Sequence, residues 1–180
     1  WIGRGISYIT GENIVAAVLC HRLVVLIGVG LIVWATPRLA RRCGVAEVTA
    51  LWLGAANPLL LMHLVAGIHN EALMLGLMLT GTEIALRGID STAPLLPRPV
   101  HWPNSRADWS RWAPLALLLA GTVLITLSSQ VKLPGLLALG FAAMALAHRW
   151  GGTLKAFLAA GVLMGSVALA VMAIVGWASG

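Results

Sequence analysis

Charge is what this chain has least of. Only 10% of its 180 residues are Asp, Glu, Lys or Arg, while 59% are hydrophobic. A soluble domain carries roughly 25% charged residues, so a water-facing surface cannot be built from this composition. With a mean hydropathy of +0.92, the leading class is a polytopic membrane protein. Acidic residues are scarcer still, six against twelve Lys and Arg. In a membrane protein that excess mostly sets orientation, and it does not call for a nucleic-acid partner. The two cysteines, Cys20 and Cys43, fall at opposite ends of one candidate helix, which argues against a disulfide between them. No short charged signal peptide opens the chain, and its first residue is Trp1. The sequence reads as an excerpt of a longer protein: one membrane domain, or part of one, with no soluble domain and no internal repeat.

What is present is apolar runs separated by polar punctuation. They predict an all-α transmembrane helical bundle of about six spans, at 13–35, 48–66, 71–88, 113–130, 133–150 and 154–177. Each must approach the ~30 Å of a hydrocarbon core. Residues 1–12 are polar and Gly-rich and read as loop, with Trp1 and Tyr8 suited to a headgroup belt. Thr36-Pro37-Arg38 ends the first span, and Arg38, Arg41 and Arg42 make a basic loop up to Glu47. Asn57-Pro58 breaks the second span, because proline removes a backbone bond. Glu83 and Arg87, four apart, pair on the third. The long hydrophilic loop 88–112 carries Pro94, Pro97, Pro99 and Pro103 with interleaved Trp102, Trp109 and Trp112. The fifth span is short.

Alternation of six spans places loops 36–47, 88–112 and 148–155 on one face. That face holds Arg38, Arg41, Arg42, Arg87, Arg98, Arg106, Arg111, Arg149 and Lys155, nine of the twelve basic residues. The positive-inside rule makes it cytoplasmic. Residues 69–71, 130–132 and 1–12 then face outward, so any chemistry gathers on the non-cytoplasmic side of a plasma membrane.

The stretch His69-Asn70-Glu71, set between two apolar runs, is the centre of interest. Asn70 as N-cap and Glu71 against the positive helix end would explain part of it. A cap needs neither His69 nor His63. Glu71 and His69 are the candidate catalytic residues, and Asn70 and His63 candidate substrate contacts. Arg22 lies about nine residues into its span, roughly 13 Å along the axis. An arginine there is paired or functional, here as counter-charge to an anionic lipid head. Lys132 stands on the face otherwise poor in positive charge and is a candidate phosphate contact, with Gln130 and Ser129 beside it. No motif fixes a metal or cofactor. A divalent metal on His63, His69 and Glu71 stays open, although their spacing matches no strong zinc pattern.

With these residues in view, Asn57-Pro58-Leu59, His63-Leu64-Val65, Gly67 and His69-Asn70-Glu71-Ala72-Leu73-Met74 resemble a known family. It is the actinobacterial polyprenol-phosphomannose-dependent α-1,6-mannosyltransferases, integral-membrane glycosyltransferases of the GT-C type. The resemblance extends more weakly to Pro37-Arg38-Leu39-Ala40-Arg41, Ala50-Leu51-Trp52-Leu53 and Lys132-Leu133-Pro134. The family motif carries aspartate after His-Asn; Glu71 keeps the charge and reaches one methylene further. The resemblance implies a GT-C-like membrane domain, here partial. It also implies a polyprenyl-phosphate-linked mannose donor drawn from membrane lipid, a mannan or lipoglycan acceptor, and transfer with inversion. In related enzymes the base carboxylate sits in a first outward loop, which would lie upstream of Trp1. Two rival classes remain. A transporter or lipid flippase would place ionisable groups near the midplane and show repeats. A non-catalytic assembly subunit would not need the polar rim.

Overall fold

The computed structural model describes residues 2–67, 69–92 and 112–179, and every regular element among them is helical. In chain order these are α1 (Ile2–Thr10), α2 (Ile14–Arg42) and α3 (Glu47–Ala50), which runs on as a π-helical turn over Leu51–Ala55. Then come α4 (Pro58–Leu61), continued by a second π-helical turn over Met62–Ala66, α5 (Glu71–Ser91), α6 (Ala113–Val131), α7 (Gly135–Arg149) and α8 (Leu154–Ser179). Four of these, α2, α5, α6 and α8, are long and apolar enough to cross a membrane. The segments Glu47–Ala55 and Pro58–Ala66 make a fifth if counted as one span bent by 43°. Asn57 explains the bend: its side chain caps the new helix by accepting from the Leu59 N–H at 2.9 Å, with Pro58 at the first helical position. The 15 residues of α7 are apolar but shorter than a span. Most of the proline- and tryptophan-bearing loop expected at 88–112 lies outside the described residues, as does Trp1.

Two expectations fail. The expected loop is in part a helix: Ile2–Thr10 form α1, which packs on α2 and buries Ile6 while Ile9 stays exposed. Likewise Pro37 does not end α2, so Arg38, Arg41 and Arg42 are helical rather than a loop. Pro37 has no N–H to give the Val33 carbonyl, yet the helix continues through it. The side chains beside it bond the flanking carbonyls: Thr36 Oγ1 donates to the Ile32 carbonyl at 2.7 Å, and Arg38, stacked on the Trp34 ring at 4.1 Å, donates to the Trp34 carbonyl. The helix then stops at Cys43, with Gly44 in the left-handed region at φ 69°.

The bundle is organised around α5. One face presents Ala72, Gly76 and Thr80 to α2; another presents Gly81, Ala85 and Gly88 to α6. A Cβ on Gly76 would lie 2.5 Å from the Gly28 carbonyl, and one on Gly81 2.8 Å from the Gly121 carbonyl, so these backbones touch. Lipid supplies little hydrophobic drive between helices, and close small-residue packing takes its place. Gly28 meets Ala72 and Arg42 meets Glu83, so α2 and α5 run parallel. Gly81 meets Ile125 and Gly88 meets Leu118, so α5 and α6 run antiparallel. A core of Leu118, Ile125, Leu146 and Met164 fills the space among α5, α6, α7 and α8.

The two ends of the bundle differ chemically. One end holds Arg42, Glu83, Arg87, Asp90 and Arg149. Glu83, 3% exposed, holds Arg42 at 2.6 Å and Arg87 at 2.7 Å. The expected Glu83–Arg87 pair therefore exists, and Arg42, 41 residues away in sequence, joins it. The other end holds Glu71, Lys132 and the histidines. Beyond it α2 projects: Gly28 is the residue level with Ala72, so Ile14–Ile27 extend about 20 Å past the start of α5.

Candidate active site

The first turn of α5 and the turn between α6 and α7 come together because α5 and α6 pack backbone to backbone. That contact sets Glu71 beside Lys132, and Lys132 Nζ donates to Glu71 Oε1. The α6–α7 turn is held tight by Gly135, where a Cβ would collide with Ser128 Oγ. The Lys132 side chain is 53% exposed and that of Glu71 24%, so the pair sits at a rim rather than in the core.

The second oxygen of Glu71 faces His69, with Nδ1 to Oε2 at 3.5 Å. His69 in turn stacks on His63, ring centroids 4.4 Å apart and planes at 18°. The close approach depends on Gly67: a Cβ there would lie 2.5 Å from the His63 carbonyl and 2.6 Å from the His69 ring. His63 itself is carried by the π-helical turn Met62–Ala66. Such turns re-aim one side chain of a helix and recur at functional positions. A cleft of about 570 Å³ opens beside this group, lined by Asn57, Leu59, Leu60, His63, Leu64, Glu71, Met74 and Leu75.

The structure thus brings four of the seven candidates together: Glu71, His69, His63 and Lys132. Asn70 stands at the N-cap position of α5, but its side chain makes no capping bond. It is exposed at the same rim, free to meet a ligand. Gln130 is half-buried in the last turn of α6 and makes no side-chain hydrogen bond among the described residues. Arg22 is exposed on the part of α2 that projects beyond α5, and it forms no ion pair among the described residues. It is not brought to Glu71. Stacked imidazoles keep their in-plane lone pairs in separate planes, and no three-donor metal set forms among the described residues.

Other buried polar groups have local partners. Thr122, Thr126, Ser128 and Ser129 of α6 all donate to carbonyls three or four residues back at 2.7 to 2.8 Å. They need no ligand. Sequence reasoning missed two features of the site: the direct Glu71–Lys132 bridge and the role of Gly67. The first joins residues 61 apart, and nothing in the spacing signals it. The second had a trace, a glycine two residues before a histidine in an otherwise apolar run.

Comparison with known proteins bears on these residues. A family model described as alpha-(1->6)-mannopyranosyltransferase, N-terminal domain, matches residues 1–148. The chain is 76% identical over its whole length to a probable alpha-(1->6)-mannopyranosyltransferase of Mycolicibacterium smegmatis, covering 32% of that protein. It is 66% identical, again over its whole length, to an alpha-(1->6)-mannopyranosyltransferase of Mycobacterium tuberculosis, covering 34% of it. A further relative, alpha-(1->6)-mannopyranosyltransferase B of Corynebacterium glutamicum, is 42% identical over 82% of the chain and is covered over 22% of its own length. No solved structure matches. The chain spans about a third of the two mycobacterial relatives. On the family model and these identities, the chain belongs to the alpha-(1->6)-mannopyranosyltransferase family.

Proposed function

We infer that this chain is part of a membrane mannosyltransferase that moves mannose from a polyprenyl-phosphate donor to a hydroxyl of a mannan or lipoglycan acceptor. The active face is the non-cytoplasmic side of the plasma membrane. One observation carries the reading: Lys132 joins Glu71, 61 residues away in sequence, with His69 and His63 at one end of the bundle beside a cleft of about 570 Å³. The opposite end collects Arg42, Arg87 and Arg149, which by the positive-inside rule is the cytoplasmic end.

The chemistry is a displacement. An acceptor oxygen attacks the anomeric carbon, the bond from that carbon to the phosphate oxygen breaks, and prenyl phosphate departs with the bonding pair. The acceptor proton passes to a carboxylate, and the configuration inverts. Glu71 has both oxygens engaged, one by Lys132 and one facing His69. That suits it to hold and orient an acceptor hydroxyl, with the proton-accepting carboxylate supplied by a part of the enzyme upstream of Trp1. Lys132 is placed to share its charge with the phosphate as negative charge develops on it, and a preorganised cation is worth most there. His63 walls the cleft with His69 stacked behind it, and the pair offers ring nitrogens to sugar hydroxyls.

The test is a mannosyl-transfer assay on the full-length enzyme in membranes, with polyprenyl-phosphate mannose as donor. Glu71→Gln lowers the rate about a hundredfold, the cost of a misplaced acceptor, while leaving the melting midpoint near that of the parent. Full activity in the variant would remove Glu71 from the site. A transporter reading draws support from the 43° break at Asn57-Pro58. However, among the described residues the one deeply buried carboxylate, Glu83, is held by two arginines at the far end.

A further inference from the structure

The arginine end of the bundle holds more cation than its carboxylates answer. Arg38, Arg42 and Arg87 gather there around two acids, Glu83 and Asp90. Glu83 is shared between Arg42 and Arg87, and Asp90 is engaged by Arg42. Arg149 donates to the Asp90 carbonyl at 3.3 Å and adds to the surplus. Arg41 has a carboxylate of its own, Glu47 at 2.6 Å. Among the described residues Arg38 meets no carboxylate at ion-pair distance.

Trp34 places Arg38 instead. The Arg38 guanidinium lies over the indole, 4.1 Å from the ring centroid, and that of Arg87, from α5, approaches the same ring at 5.5 Å. An indole face attracts a cation without occupying its N–H donors. A guanidinium carries five of them. Arg38 gives one to the Trp34 carbonyl, and Arg87 gives one to Glu83 at 2.7 Å. Arg38 is half-buried and Arg87 is 44% exposed, so the remaining donors can be reached. Counted from Ile14, Trp34 lies about 30 Å along α2, the thickness of a hydrocarbon core. The two guanidinium groups therefore stand at the level of lipid phosphates. Toward the middle of the membrane, α2 leaves Leu26 and Val33 exposed, a surface for an acyl chain.

We propose that Trp34, Arg38 and Arg87 form a binding site for the phosphodiester of an anionic phospholipid, in the leaflet at this end of the bundle. That leaflet is the cytoplasmic one in the orientation proposed above. A phosphodiester carries one negative charge, which offsets the unanswered guanidinium, and the planar fork of arginine suits paired phosphate oxygens. The rest of the head is uncharged, as in phosphatidylglycerol. An ammonium head would sit among arginines, with the nearest exposed acid, Asp90, already engaged. A phosphate held by Arg38 of α2 and Arg87 of α5 also ties those helices together. Arg87 lies about 24 Å along α5 from Glu71, so this lipid is not a substrate of the candidate active site.

Native mass spectrometry of the full-length enzyme in a non-ionic detergent reads the retention of added phosphatidylglycerol. Arg38→Gln weakens that retention about tenfold or more, the loss of charged hydrogen bonds to a phosphate. Arg41→Gln removes the same charge from the same helix end but is not on the Trp34 ring, and its screened effect stays within about twofold. Equal losses in the two variants would describe a diffuse basic surface, and no loss in either would remove Arg38; both overturn the site. Phosphatidylcholine retained as well as phosphatidylglycerol also overturns it, as does displacement of the lipid by inorganic phosphate, which would assign the groups to a free anion. A second measurement uses the parent enzyme in nanodiscs and does not depend on the Arg38→Gln variant folding. Phosphatidylglycerol with a diazirine on its glycerol head labels the peptides that contain Trp34 to Arg38 and Arg87. Labelling confined to other peptides would overturn the proposal. Neither measurement involves mannosyl transfer, so its outcome is independent of the reading of Glu71.

Discussion

Replacing Glu83 with glutamine separates architecture from chemistry. The carboxylate is 3% exposed and holds Arg42 at 2.6 Å and Arg87 at 2.7 Å, fastening the end of α2 to α5. Glutamine keeps the shape and some hydrogen bonding but removes the charge, so two guanidinium groups face a neutral amide. Removing one partner of a buried ion pair costs about 3–5 kcal/mol. Here Arg87 is 44% exposed and can turn to water, and Arg42 keeps Asp90 at 2.5 Å. The cost therefore falls to about 2 kcal/mol. The assay is the denaturation midpoint of the full-length protein in detergent, read as a difference from the parent. The double variant with Arg42→Gln tests the cause, because residues in one network do not add. It should lose about 1 kcal/mol less than the sum of the single changes. Activity per folded molecule stays near the parent value, since Glu83 lies about 18 Å along α5 from Glu71. A Glu83→Gln variant as stable as the parent, or strict additivity, would refute the clamp.

Other outcomes follow from the same geometry. Lys132→Ala changes stability by less than about 1 kcal/mol, as expected for a pair at a rim, yet raises KM for the donor more than for the acceptor; an unaltered donor dependence would count against the phosphate contact. Gly67→Ala pushes a Cβ against the His63 carbonyl and the His69 ring; kcat drops while the melting midpoint holds, and a variant with parental kcat would dissociate the histidine stack from catalysis. Gly121→Leu drives α5 from α6 and costs about 3 kcal/mol, visible as a lowered melting midpoint. Single cysteines at positions 70 and 132 react with an impermeant maleimide from outside intact cells, and one at 153 reacts only after lysis; the reverse pattern would invert the orientation.

The long apolar runs were legible because a membrane helix needs little more than length and hydrophobicity, so α5, α6 and α8 sit within a few residues of their expected bounds. The break at Asn57-Pro58 was legible for the same local reason: proline and a capping asparagine act on their own turn. What escaped depends on contacts across the fold. Pro37 was read as a terminator, yet α2 runs through it to Arg42. The helix Ile2–Thr10 hid among glycines and polar residues, and it rests on α2 with Ile6 buried. Glu83 with Arg87 could be read at a spacing of four; Arg42 could not.

The candidate site yields to a different argument, one of elimination by partners. In an apolar bundle each polar group must be satisfied locally or kept for a ligand. The buried hydroxyls of α6 bond their own helix, and Glu83 is saturated by arginines. Asn57 spends its side-chain oxygen on a cap. Among the described residues, Arg22, Gln130 and Asn70 lack a structural partner, but one connected set stands out: Glu71 with Lys132, His69 against Glu71, and His63 stacked on His69. These groups are partly exposed beside a cleft whose other walls are mostly leucine and methionine. A carboxylate, a cation and two imidazoles there are surplus to holding helices together. They match the needs of the sugar-and-phosphate ligand proposed above.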